Sequence, residues 1–123
     1  MKLETLVLDN NDLGDKIKFP TLPSLKTLCL NNNNIQEINS FLAKIATCFP
    51  NLEYFSFLKN PACYNPLMGG SEEDYQKYRY KVIHNLRRLK FLDSTQVTAS
   101  ERRASAELYD VSKDNLFWDF PAA

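Results

Sequence analysis

Residues that commonly carry catalysis are few in this chain and far apart. The single histidine, His84, falls inside a helical pattern with no nucleophile or carboxylate at motif spacing, and one histidine makes no metal site. Cys29, Cys48 and Cys63 are scattered, with no CxxC pair. Gly69-Gly70-Ser71 precedes a helix and could hold an anion, but no phosphate-loop lysine follows, so it reads as a loop and a cap. The sequence therefore predicts no enzyme, no metal and no cofactor. The chemistry on offer is that of contact between surfaces, and the aromatic residues that could supply it must be positioned by something.

What positions them is a repeated segment. Leu25-Lys26-Thr27-Leu28-Cys29-Leu30-Asn31-Asn32-Asn33-Asn34-Ile35 has leucines at its first, fourth and sixth positions, asparagine at the ninth and an aliphatic at the eleventh. Leu3 to Leu13 repeats this pattern earlier, and Leu52 to Ala62 repeats it later with Phe55 and Phe57 at two leucine places. The alternation Leu6/Leu8, Leu28/Leu30 and Phe55/Phe57 is the period-2 signature of a short strand with one buried face. Asn11, Asn33 and Asn60 then end the strands. An amide both donates and accepts, so asparagines pointing inward can form a ladder that satisfies bare backbone groups of neighbouring turns. No such unit closes a core alone, so neighbours must stack their strands into a parallel sheet on the concave side.

Self-similarity at periods of 22 and 27 residues identifies the chain as similar to the leucine-rich repeat proteins. The expected fold is α/β: a leucine-rich repeat solenoid with a short parallel concave sheet, an irregular or helical convex side and a C-terminal helical cap. Repeats start near residues 3, 25 and 52, with a shortened one at Leu89, and occupy 1–93. Within the convex side, Asn39 or Ser40 is placed to cap a helix whose apolar stripe is Phe41, Leu42, Ile45, Cys48 and Phe49. Gly14 to Pro23, with two prolines, reads as irregular. Ser71-Glu72-Glu73-Asp74 starts a second helix that buries Tyr75, Tyr78, Val82 and Leu86, while Tyr80 is left exposed.

Tyr78-Arg79, Val82-Ile83, Leu86, Leu89, Leu92-Asp93, Val97 and Glu101-Arg102 match position by position the C-terminal cap of intracellular leucine-rich repeat proteins, a cap spanning 71–109 here. That family includes the spliceosomal leucine-rich A-prime protein and several ciliary and phosphatase-regulating relatives. The match covers about 100 residues. Two departures stand out: the family often has proline at the place of Arg87 and glycine where this chain has Ser94. Thr98-Ala99-Ser100-Glu101 is a capping box opening a helix that runs through about Leu108 or Tyr109, and 110–123 is left as an aromatic tail. Within the family the chain looks most like a member concerned with pigment-cell differentiation. That resemblance implies a non-enzymatic adaptor in melanosome biogenesis, whose partners are small GTPases of the Rab type or a trafficking complex. The same family implies two alternatives, a ribonucleoprotein component and a phosphatase-regulatory subunit.

Two surfaces are candidates for holding a partner. On the concave face one column reads Glu4, Lys26, Glu53, Lys90, alternating in sign so that each neighbouring pair is of opposite charge; the plain reading is a solvated ladder of small energy. The next column reads Thr5, Thr27, Tyr54, Phe91, with Tyr54 and Phe91 as anchors and Leu58 and Lys59 at the rim. In the tail, Leu116, Phe117, Trp118 and Phe120 among aspartates form either a docking segment or a seal folded onto the last repeat.

Fifteen basic and fifteen acidic residues cancel, which argues against a protein held mainly by phosphates. The run Lys77, Arg79, Lys81, Arg87, Arg88 and Lys90 alternates with apolar positions and reads as a solvated helix face, so nucleic acid is not the expected partner. No apolar run approaches the length of a membrane span, and Met1-Lys2-Leu3 does not open a signal peptide. The odd, unclustered cysteines predict a reducing, cytoplasmic setting. The first strand follows Met1 and Lys2 at once with nothing to cover its edge, so the sequence leads one to expect further repeats before it or an edge that meets a partner.

Overall fold

The computed structural model describes residues 2–63 and 71–119, with side chains in the last helix described as far as Tyr109. Each repeat contributes one three-residue strand, beginning two residues after the repeat start: β1 (Thr5–Val7), β2 (Thr27–Cys29) and β3 (Tyr54–Ser56). The shortened repeat contributes β4 (Phe91–Leu92), and β5 (Thr95–Gln96) follows it. The sheet order is β1-β2-β3-β4-β5; β1 to β4 pair in parallel and β5 runs antiparallel to β4. Leu6, Leu28, Phe55 and Leu92 are register partners and form one inward row. Stacking each strand's apolar face on the next produces one continuous core, and Leu28, Phe55 and Leu92 in that row are fully buried.

The convex side is built from three helices: α1 (Ile38–Cys48), α2 (Glu72–Asn85) and α3 (Ala99–Asp119). The spacing of Ile38, Phe41, Leu42 and Ile45 puts all four on the buried face of α1. Phe41 stacks on Phe57 with ring centroids 5.6 Å apart, which joins the convex helix to the third strand's repeat. Gly14 to Pro23 carries no helix or strand, and Lys44 of α1 holds it down by donating to the carbonyls of Asp15 and Ile17, both at 2.6 Å.

The helix ends differ from the sequence expectation in three places. Neither Asn39 nor Ser40 caps α1; both lie inside it, and Glu37 is the N-cap, its carboxylate accepting from the Asn39 amide at 3.1 Å. Asp15 of the preceding repeat adds a second cap, accepting from the amides of Gln36 (2.6 Å) and Glu37 (2.8 Å). A cap supplied from 21 residues upstream leaves no local signal. In α3, Thr98 accepts from the Glu101 amide at 3.0 Å, but the Glu101 side chain turns to Arg79 rather than closing the capping box. That helix also continues past Tyr109, the end expected from the sequence, to Asp119, so residues 110–119 of the expected tail are helical. The physical reason is plain in hindsight: no glycine or proline interrupts the chain between Tyr109 and Pro121.

Candidate functional site: the concave face and its rim

The outward residues of short parallel strands fall into rows, because register partners sit side by side. Thr5 pairs with Thr27, Thr27 with Tyr54 and Tyr54 with Phe91, so these four side chains form one row across the sheet. The rings of Tyr54 and Phe91 tilt toward each other with centroids 6.2 Å apart. Phe91 is 42 % exposed, which is large for a phenylalanine in a folded domain. The Tyr54 hydroxyl is 2.8 Å from the Ser94 hydroxyl, which fixes the ring's far end. Val7, 58 % exposed, stands one pleat further along β1, and period-2 counting would have placed it outward too.

The charged row lies beside the aromatic one. The amides of Lys26, Glu53 and Lys90 donate to the carbonyls of Glu4, Lys26 and Glu53 at 2.8, 2.8 and 2.7 Å, which sets Glu4, Lys26, Glu53 and Lys90 in line. Glu53 is the centre of this row: Lys26 and Lys90 each bring an ammonium to 3.5 Å from one of its carboxylate oxygens. Lys26 thus pairs with Glu53 and not with Glu4, which makes no ion pair among the described residues; the expected pairing of every neighbour stops there. Glu53 draws both neighbouring lysines, and Glu4 is left exposed to solvent. At this exposure each pair is worth about 0.2–1 kcal/mol, too little to shape the fold. At the rim, Leu58 packs half-buried against the core, and Lys59 is exposed with φ 60°.

The three asparagines do not behave alike. Asn33 Oδ1 accepts from the amides of Asn11 (3.0 Å) and Leu13 (2.9 Å), and its Nδ2 donates to the carbonyls of Leu8 and Leu30, both at 3.0 Å. Asn60 Oδ1 accepts from the Ile35 amide at 3.1 Å, and its Nδ2 donates to the carbonyls of Leu30 (2.8 Å) and Phe57 (3.1 Å). Each reaches back into the preceding turn. Asn11 differs: it is exposed, and its Nδ2 donates to the nearby Asp9 carbonyl at 3.0 Å. The inward orientation expected of Asn11 is therefore corrected; among the described residues its side-chain amide satisfies no other turn and stays with water.

A second correction concerns the basic run. Arg79 is not on a solvated face but 5 % exposed. Its Nε donates to Glu101 at 2.6 Å, one Nη donates to the other Glu101 oxygen at 2.9 Å, and the other donates to the Leu92 carbonyl at 2.9 Å. The hydrogen bond to Glu101 raises the Arg79 pKa. Burial works against the Glu101 charge, but the hydrogen bonds from Arg79 and Gln76 and the Arg79 charge together hold Glu101 below its ordinary 4.5. Nearby, buried Asp93 accepts from the Phe57 amide at 2.7 Å and from the Tyr75 hydroxyl at 2.8 Å. Burial pushes the Asp93 carboxyl up. These contacts lock the cap helices to β3 and β4 and so hold Phe91 where it stands beside Tyr54.

Asp93 and Ser94 form the two-residue turn between β4 and β5, with φ 52° and 69°. Both central residues at positive φ is the geometry that favours Asn-Gly or Asp-Gly. Ser94 stands where glycine is preferred, at a cost of roughly 1 kcal/mol. Ser94→Gly is expected to raise stability by about 0.5–1 kcal/mol, seen as a rise of about 4 °C in thermal midpoint, because the lost contact with Tyr54 is exposed. A fall in the midpoint would show that the Ser94 hydroxyl outweighs the strain.

Among the described residues, no group of three His, Cys, Asp or Glu side chains is arranged to hold a metal, and no helix is long and apolar enough to cross a membrane. For the tail candidates, Leu116, Phe117 and Trp118 lie on the backbone of α3 with side chains outside the described set, and Phe120 lies outside the described residues altogether.

Stacked single-strand repeats, inward asparagines and a helical cap define the class: the chain is a leucine-rich repeat protein. Its sequence is 49 % identical over 102 residues to the leucine-rich melanocyte differentiation-associated protein of Homo sapiens, covering 81 % of this chain and 52 % of that relative. It is 32 % identical over 115 residues to the probable U2 small nuclear ribonucleoprotein A' of Caenorhabditis elegans, covering 88 % of this chain and 39 % of the relative. The corresponding protein of Candida albicans is 31 % identical over 117 residues, with 93 % and 44 % covered. The chain thus spans about half the length, or less, of these curated relatives. In a crystal structure of the Drosophila melanogaster SNF/U2A' complex, one chain matches with a TM-score of 0.58 and 28 % identity, over 92 % of this chain and 75 % of that one. No protein-family model matches the sequence.

Proposed function

We propose that this protein is a non-enzymatic interaction module whose concave sheet holds another protein. The observation that carries the reading is the Tyr54–Phe91 pair: two aromatic rings side by side on the outer face of the sheet, held by the strand register and by the cap, with no core to serve there. Aromatic anchors that are already ordered lose little entropy on binding, which is the composition of interface hot spots. The likeness to a chain solved in a complex with a second protein supports the same use of this fold.

The name of the human relative supports a setting in melanocyte differentiation; within it we propose an adaptor in melanosome biogenesis, acting in the cytoplasm on Rab-type small GTPases or trafficking complexes. The test is proximity labelling in pigment cells with wild type and Tyr54→Ala/Phe91→Ala, followed by affinity measurement on each recovered partner. The double substitution is expected to weaken the true partner by about thirtyfold or more, the equivalent of losing at least about 2 kcal/mol of hot-spot energy. Unchanged affinity would remove the concave face from consideration. A second reading, a ribonucleoprotein component, is favoured by the names of the relatives from Caenorhabditis elegans and Candida albicans. A salt titration separates the two, because phosphate-driven binding falls steeply with salt.

A further inference from the structure

Three cations of the sequence's basic run, Arg87, Arg88 and Lys90, gather at the cap end of the sheet. Arg87 and Arg88 are exposed in the turn after α2, Lys90 and Phe91 follow on the concave face, and Arg102 arrives from α3. Together with Val97 they line a groove of about 440 Å³. A second groove of about 280 Å³ adjoins it and shares Arg87 and Arg102 with it. Among the described residues neither is lined by an aspartate or glutamate. Arg102 is held in place by donating to the Leu89 carbonyl at 2.6 Å and feels the charge of its neighbour Glu101, while Lys90 pairs with Glu53 at 3.5 Å. Arg87 and Arg88 make no ion pair among the described residues. Four cations around one groove in a chain of zero net charge is a local excess that burial and fold do not require.

We infer that this groove takes an acidic, partly apolar peptide segment, and that the segment belongs to the protein whose body rests on the concave face. The inference rests on the reading given above and extends it past the rim. Phe91 supports the connection, since it lines the groove and also forms the aromatic pair with Tyr54. A partner seated on Tyr54 and Phe91 therefore has the groove directly in its path. Arginines offer planar, forked donors to carboxylates, while Phe91 and Val97 offer apolar contact between them. The same surroundings disfavour a polyphosphate. The neighbouring row presents Glu4 and Glu53, and a chain with one negative charge per residue would meet both as it ran along the face. A peptide with separate acidic and apolar parts meets no such repulsion.

The test uses the full chain and three labelled probes read by fluorescence anisotropy: a ten-residue peptide with a glutamate-rich half and a leucine-containing apolar half, the same peptide with Gln for Glu, and a ten-nucleotide oligouridine. The acidic peptide should bind at least about tenfold more tightly than its Gln form, and raising salt should erase most of the difference. Arg87→Glu/Arg88→Glu should abolish that preference with an unchanged thermal midpoint, since both side chains are exposed. Equal binding of the two peptides, an unaffected double variant, or tighter binding of the oligouridine overturns the inference. The concave-face reading fails separately: Tyr54→Ala/Phe91→Ala leaving the recovered partner's affinity intact would sink it, whatever Arg87→Glu/Arg88→Glu does to the acidic probe.

Discussion

Replacing Asn60 by alanine is expected to cost about 3–4 kcal/mol of folding stability, a large part of what a domain of this size possesses. Asn60 is fully buried, and its amide serves four backbone groups across two turns, the Leu58 carbonyl at 3.4 Å being the weakest. Alanine leaves the Ile35 amide and the Phe57 carbonyl without their side-chain partner in a site closed to water, each at about 1–3 kcal/mol. The Leu30 carbonyl is spared because Asn33 also donates to it at 3.0 Å. Asn33→Ala should be comparably damaging. Asn11→Ala, with one exposed bond to lose, should change stability by less than about 0.5 kcal/mol. Urea denaturation of the three variants checks the order. Equal losses at all three positions would mean that the repeated asparagine acts through local turn preference and not through the bonds between turns.

Arg79→Ala is expected to cost about 2–4 kcal/mol, because it strands a partly buried carboxylate. Glu101 would keep only the donation from Gln76 (2.9 Å) to its side chain, and the Leu92 carbonyl would lose its guanidinium donor. The side chains of Arg79 and Glu101 are 6 % and 13 % exposed, so water cannot replace the pair cheaply. The acid dependence follows in sign. A carboxylate held below its ordinary 4.5 contributes stability above that pH and loses it as pH falls through the folded-state value. Asp93 pulls the other way, since burial raises it and protonation then favours the folded chain. The stability gap between wild type and Glu101→Gln isolates the Glu101 share: it should be full at pH 7 and shrink below pH 4.5. A gap that stays constant down to pH 3 would contradict the pairing.

The repeats were legible because they obey a local rule written several times. Leu6, Leu28 and Phe55 alternate with outward residues, and the register follows from the repeat starts, so the row Thr5, Thr27, Tyr54, Phe91 could be read before any coordinates. Hidden features are those whose partners lie far along the chain. Asp15 caps a helix 21 residues on, and the Glu101 carboxylate that buries Arg79 is 22 residues away, so a run of basic residues looked uniformly solvated. Arg102 joins Arg87 and Arg88 only because α3 folds back across α2. Strand β5 escaped notice for a different reason: two residues paired antiparallel to β4 leave no periodicity to detect. Asn11 shows the limit of the repeat itself, since an identical residue is exposed there and its side chain, among the described residues, bonds only the nearby Asp9 carbonyl.

The central claim is that another protein rests on the outer face of the strand row. A photoreactive phenylalanine at position 54, compared with one at the exposed convex position 43 on α1, tests it most directly in living cells. A partner covalently captured from position 54, lost when Phe91 is also changed to alanine and absent from position 43, is the predicted result. Capture of that partner from position 43 and none from position 54 would place the binding surface on the helices and contradict the account.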